Sequence, residues 1–238
     1  MVSSATQVQC KNCGEPLELA FCPRCGQSAN VDVPTVQHFL QDAASAIFTY
    51  DSKFWRTIKL LATRPGELSV AYVEGRRASF VNPVPLYVWL QAICFLAFRF
   101  GLPKLAGEAD ARARSLLLMA IILSVFGAIY NVTKKRKFGE HLVFALHLSS
   151  YLLFILTVIY SLTPLAVWIL AHVQMRGKTA DIGPYLTLTA EVFMVPYTIL
   201  AIKRFYRDGW LASLVKTAAL YYSYFYVLGQ LFLAFGLH

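Results

Sequence analysis

Acid is scarce in this chain. Its 13 aspartates and glutamates face 22 lysines and arginines, and charged residues make up only 15% of 238 positions. Such little charge, beside 57% hydrophobic residues and a mean hydropathy of +0.53, takes the composition beyond the apolar share of soluble domains. The surplus is expected to face lipid. A net charge of +9 would point to nucleic acid in a soluble protein, but a membrane protein acquires it by retaining Lys and Arg on one side, so no nucleic-acid partner is expected. The chain also lacks a glycine-rich phosphate loop, a Gly-x-Gly-x-x-Gly fingerprint and a Ser/His/Asp nucleophile arrangement, which argues against an enzyme of those kinds. Residues 1–30 do not read as a secretory leader, being polar and holding four of the five cysteines. The first long apolar run opens near Val84 and is expected to serve as an uncleaved insertion signal.

Those four cysteines are spaced Cys10-x2-Cys13 and Cys22-x2-Cys25, each pair followed by a glycine, Gly14 or Gly26. A Cys-x2-Cys turn lets two thiolates reach one ion, and the glycine relieves the backbone where its amides turn back toward sulfur. Two such knuckles complete a tetrahedral site with no position left for water. The expectation is a zinc ribbon over residues 1–30, with structural zinc on Cys10, Cys13, Cys22 and Cys25. Disulfide pairing is the competing reading; a head on the reducing side of a membrane keeps its thiols, and a fold this short needs a metal or a staple.

Residues 31–83 read as amphipathic juxtamembrane helices. Val36, Phe39, Leu40, Ala43, Ile47 and Phe48, then Phe54, Trp55, Ile58 and Leu61, recur at three- and four-residue intervals, with a break near Tyr50-Asp51. They would lie on the inner leaflet or pack against the membrane body or a partner. The stretch from Arg64 to Arg77 is the hinge between head and body. Pro65 suits a helix's first turn and Gly75 a C-terminal cap, which predicts a short helix over 65–74 and sets Arg64, Arg76 and Arg77 at the level of lipid headgroups.

Residues 84–238 are expected to form a transmembrane helical bundle, with spans near 84–101, 115–131, 141–163, 184–202 and 211–235 and with residues 165–173 re-entering or lying at the interface. The fold class is an all-α integral membrane protein with about five transmembrane helices. Placing the N-terminus inside keeps the basic head, Lys134–Lys137, Lys203, Arg204 and Arg207 in the cytosol and puts the C-terminus outside. Ionisable groups within a bilayer are costly, so Glu140, His141, His147 and Glu191 are candidates for an intramembrane polar site that relays protons or holds a cation; interhelical glue is the alternative. Tyr221, Tyr222, Tyr224, Phe225 and Tyr226 either pack or line a pocket for a lipid or quinone.

The Cys-x2-Cys-Gly knuckles with Phe21-Cys22-Pro23-Arg24-Cys25-Gly26-Gln27, Thr57, Arg64-Pro65-Gly66, Tyr72-Val73-Glu74-Gly75-Arg76-Arg77, Pro83 and Glu140-His141-Leu142-Val143-Phe144-Ala145-Leu146-His147 together resemble an uncharacterised bacterial family of zinc-ribbon multi-pass membrane proteins, catalogued as a domain of unknown function. The resemblance covers most of the chain. It implies a protein of the bacterial inner membrane with a cytosolic zinc ribbon, and it carries no activity. The expected role is a non-enzymatic component whose head recruits or regulates a protein partner at the cytosolic face, with the lipid bilayer and a homo-oligomer as further associations. The competing role is a small transporter or channel for an ion, a proton or a lipid-like small molecule, using Glu191 and His147.

Overall fold

The computed structural model describes residues 8–17, 19–30, 52–101, 123, 125–131, 136–172 and 182–235. Among these the chain is mostly helical and has no strand; the two isolated bridges, Gln9↔Pro16 and Phe21↔Ser28, both belong to the cysteine knuckles. The helices are α1 (Ser52–Thr63), α2 (Glu67–Val73), α3 (Pro83–Gly101), α4 (Phe138–His172), α5 (Ile182–Tyr206) and α6 (Trp210–Phe235), with residues 125–130 helical as well. The expected helix over 36–48 and most of the expected span 115–131 lie outside the described residues.

The periodicity of α1 gives it one apolar face, and that face meets the bundle. Leu61 is buried, Thr57 accepts a 3.0 Å bond from Val81 N–H through its hydroxyl, and Tyr197 of α5 donates to Leu61 O at 2.8 Å. The opposite face, with Lys53, Trp55, Arg56 and Lys59, is exposed. Both α1 and α2 pack on the helical bundle.

The helix expected over 65–74 is shorter, because Gly66 precedes it at φ 75 and Pro65 stands outside. Its C-terminus closes with Arg76 N–H on Ala71 O at 2.8 Å and Gly75 N–H on Tyr72 O at 3.2 Å, the paired bonds of a Schellman motif. Gly75 takes the left-handed position at φ 96. The glycine before two arginines is thus a cap, as the sequence predicts.

Asn82 followed by Pro83 opens α3, proline being free to occupy a position whose N–H has no helical partner. Residues 165–172 continue α4 as helix beyond Thr163-Pro164. Pro164 removes one backbone bond and leaves the neighbouring turns intact, with Thr163 Oγ1 bonding Ile159 O. At 35 residues α4 is about 52 Å long, well beyond a hydrocarbon core of about 30 Å. Its first three turns carry Glu140, His141 and His147 and are wrapped by α2 and the end of α5.

Among the described residues, two helical stretches, Pro83–Phe100 and Phe138–Ala166, are long and apolar enough to cross a membrane. Stacked Phe144–Phe205 rings at 4.8 Å and Tyr151–Tyr197 rings at 3.4 Å set α4 and α5 antiparallel, and Phe98 meets Tyr160 between α3 and α4.

Candidate metal centre and its seat on the bundle

The two knuckles are near copies offset along the chain. Gly14 N–H bonds Cys10 O at 2.8 Å and Gly26 N–H bonds Cys22 O at 2.9 Å; Cys10 N–H then bonds Glu15 O, and Cys22 N–H bonds Gln27 O, both at 2.8 Å. Both glycines are left-handed, at φ 79 and φ 71, which is why each pair ends in glycine. The knuckles face each other, with Cys10 Sγ 3.6 Å from Cys25 Sγ, Cys13 Sγ 3.5 Å from Cys22 Sγ, and all four sulfurs within 4.8 Å of one another. A tetrahedron of thiolates at about 2.3 Å from one ion has edges of about 3.8 Å, so the four residues fit a single metal. No disulfide joins them. Burial opposes ionisation of Cys10, but amide bonds from Cys13 and Asn12 and the nearby Cys25 and Cys13 sulfurs bring its thiol down to about 7. At Cys13 the Glu15 amide favours the thiolate, yet burial and the Cys22, Cys25 and Cys10 sulfurs outweigh it and push the thiol up to about 12. Sharing one cation among four sulfurs removes that conflict.

The second knuckle does more than hold sulfur. Gln27 is 7% exposed, and its amide donates to Gly75 O at 2.7 Å while accepting from Arg77 N–H and Ala78 N–H, each at 3.0 Å. The head is therefore seated on the turn that ends α2. Glu15 holds the matching place in the first knuckle and, among the described residues, its side chain meets Arg24 at 3.5 Å near the surface. Nothing in the sequence separates these two positions, so the role of Gln27 becomes visible only in the fold.

Of the three hinge arginines, Arg77 is turned inward: its Nε donates to Tyr72 O at 3.1 Å and its guanidinium lies 4.7 Å from the centre of the Tyr72 ring. Arg76 pairs with Glu74 at 3.0 Å, and Arg64 is exposed. The four intramembrane candidates do not converge. Glu140 pairs with Arg136 at 2.6 Å, His141 Nδ1 meets Tyr206 OH at 2.8 Å, and His147 Nδ1 meets Ser69 Oγ at 3.1 Å with Tyr72 edge-on to its ring. Glu191 lies on the exposed face of α5, close enough to Tyr221 to interact with it electrostatically. With Tyr151 stacked on Tyr197 as the common level, His147 lies four residues to one side and Glu191 six to the other, about 15 Å apart along the axes. The expected pairing of those two groups is not formed. Among the described residues, the four cysteines are the one group of three or more cysteine, histidine or carboxylate side chains able to hold a metal.

A second polar cluster was missed because its members are far apart in sequence. Lys216, two turns into α6, donates to Asp208 at 2.7 Å and to Asn131 at 2.5 Å, beside a cavity of about 10 Å³ walled also by Tyr206, Phe144 and Ile202. The fold gives the Lys216 amine a carboxylate partner. Removing one partner of a buried pair strands the other charge. Asp208→Ala is expected to cost about 3 kcal/mol in thermal unfolding of the purified protein, and adding Lys216→Met is expected to recover most of that loss.

The class these features define is a mostly helical protein with, among the described residues, two membrane-length helices and a four-cysteine site able to hold one metal ion. Residues 51–95 match the family model described as protein of unknown function (DUF3667). That stretch contains α1, α2, the Gly75–Ala78 turn and most of α3, the part of the chain on which both head and bundle rest. No curated protein and no solved structure matches the chain.

Proposed function

We propose that this is a multi-pass protein of the bacterial inner membrane whose cytosolic head, held by structural zinc over residues 1–30, recruits or regulates a protein partner without catalysis of its own. The observation that carries this reading is the closed four-thiolate cluster docked by Gln27 onto the hinge. Four sulfurs leave no coordination position for a substrate or water, so the metal serves shape. The exposed apolar faces of α5 and α6, with Val192, Phe193, Leu211, Leu214, Val215 and Phe225, fit a bundle in which these helices cross beside α3 and α4 and the segment over 115–131 completes five spans. With the N-terminus inside, Trp55 and Trp210 would lie at the cytosolic interface, Lys203 capping the Trp210 ring at 4.2 Å, and Arg64 and Arg76 would reach the headgroups.

A transport role for Glu191 and His147 needs a shared path, and a separation of about 15 Å with one group buried against Ser69 gives that reading no support. The test compares cross-linked partners of the intact chain and of Cys22→Ser in native membranes, with compartment reporters fused at each terminus. Partners lost along with the metal support recruitment by the head. An unchanged set of partners after metal loss, or a C-terminus reporting from the cytosol, refutes the corresponding part.

A further inference from the structure

We infer that Gln27 is a metal-controlled latch: the ion that shapes the second knuckle also sets whether the head is clamped to the Gly75–Ala78 turn. This rests on the metal reading above and extends it to the bundle. The backbone carbonyl of Gln27 accepts the Cys22 N–H bond that closes the knuckle, so the residue's position is fixed by the same turn that presents Cys22 and Cys25 to the ion. Its side chain then satisfies three backbone groups that lie 48 to 51 residues away in sequence. A primary amide suits this place because it alone among the common side chains of this length offers a donor to Gly75 O and an acceptor to two N–H groups at once. The left-handed conformation of Gly75 shapes the turn that presents these groups together.

The turn leads directly into the bundle. Arg77, whose amide Gln27 holds, reaches back to Tyr72 O and covers the Tyr72 ring; Tyr72 packs edge-on against His147, whose other contact is Ser69. Loss of the ion releases the knuckle, withdraws Gln27, and leaves the Ala78 amide without its side-chain acceptor and the Arg77 amide with only the Gly75 carbonyl at 3.1 Å, one packed residue from the buried His147. The metal state of the head is thereby communicated to α4 through contiguous contacts.

The test is hydrogen exchange by mass spectrometry at the Arg77 and Ala78 amides of the full chain in lipid nanodiscs, with zinc measured in every sample. In the zinc-loaded chain both amides are expected to be protected, and stripping the ion with a chelator is expected to speed their exchange at least tenfold. Gln27→Ala is expected to keep its zinc and exchange fast even when loaded. Gln27→Glu retains the acceptor but not the donor and is expected to fall between the two, and it decides the matter should Gln27→Ala lose zinc. Wild-type protection that survives chelation with the zinc removed overturns metal control alone. Protection in zinc-loaded Gln27→Ala and Gln27→Glu equal to wild type overturns the latch. A wild-type chain that takes up no zinc overturns the metal reading itself, and the exchange of the Gln27 variants then reports the docking separately.

Discussion

Gly66→Ala is expected to lower the unfolding temperature of the purified protein by roughly 10 °C, corresponding to about 3 kcal/mol. Two effects add at this position. Gly66 has φ 75, a conformation that costs a residue with a Cβ roughly 1 to 2 kcal/mol. A Cβ there would also stand 2.8 Å from Ala201 O and 3.0 Å from Ala201 Cα, and since both belong to the backbone of α5, whole helices would have to move. Around this contact Arg204 donates to Pro65 O at 2.7 Å and Tyr197 to Leu61 O at 2.8 Å, so separating α2 from α5 loosens the seat of α1 as well. Asparagine tolerates left-handed backbone, so Gly66→Asn separates the two causes: strain alone would make it milder than alanine, and overlap makes it at least as damaging. Gly26→Ala, at φ 71 with no atom within 4 Å of the new Cβ, is expected to show strain only. Equal unfolding temperatures for Gly66→Ala and the parent chain would remove the close packing of α2 on α5 from this account.

Cys22→Ser is expected to abolish metal binding and unfold residues 8–30, read as rapid proteolysis of the head while α3 to α6 remain folded. The head has little core of its own, with Cys10 and Cys22 as its buried hydrophobic residues while Val8, Leu19 and Phe21 stay exposed. In a segment that small the free energy of metal binding is the free energy of folding. The affinity should also depend on pH. Ligands bind as thiolates; Cys10, at about 7, is already ionised above neutrality, whereas Cys13, at about 12, must surrender its proton to the metal. Between pH 7 and 9 at least one proton is released per ion bound, so the affinity should rise about tenfold or more per pH unit. A folded head in metal-free Cys22→Ser would contradict this.

Features that depend on neighbouring residues were legible in the sequence. The cysteine and glycine spacing of the knuckles, Gly75 as a cap before Arg76, and the start of α3 at Pro83 each follow from local backbone chemistry. What depends on approach between distant segments was not. The length of α4 was not legible, because Pro164 inside it removes one bond that a helix of 35 residues tolerates. His147 and Glu191 both read as intramembrane polar groups, and only the register set by Tyr151 on Tyr197 shows one buried against Ser69 and the other on the outer face. The bonds made by Gln27 and Lys216 were not legible, since their partners lie 48 and 85 residues away. The hinge from Arg64 to Arg77 was recognised as a boundary, but its role is larger: it touches α4, α5 and the head together.

The most direct test of a metal-held head is to measure, on the wild-type chain purified from membranes without chelator, zinc per chain and free thiols after denaturation in excess chelator. The account expects one zinc per chain and all five cysteines as free thiols. Absence of metal together with one free thiol and two disulfides would contradict it, and would mean that sulfur–sulfur bonds, not a shared ion, bring the two knuckles together.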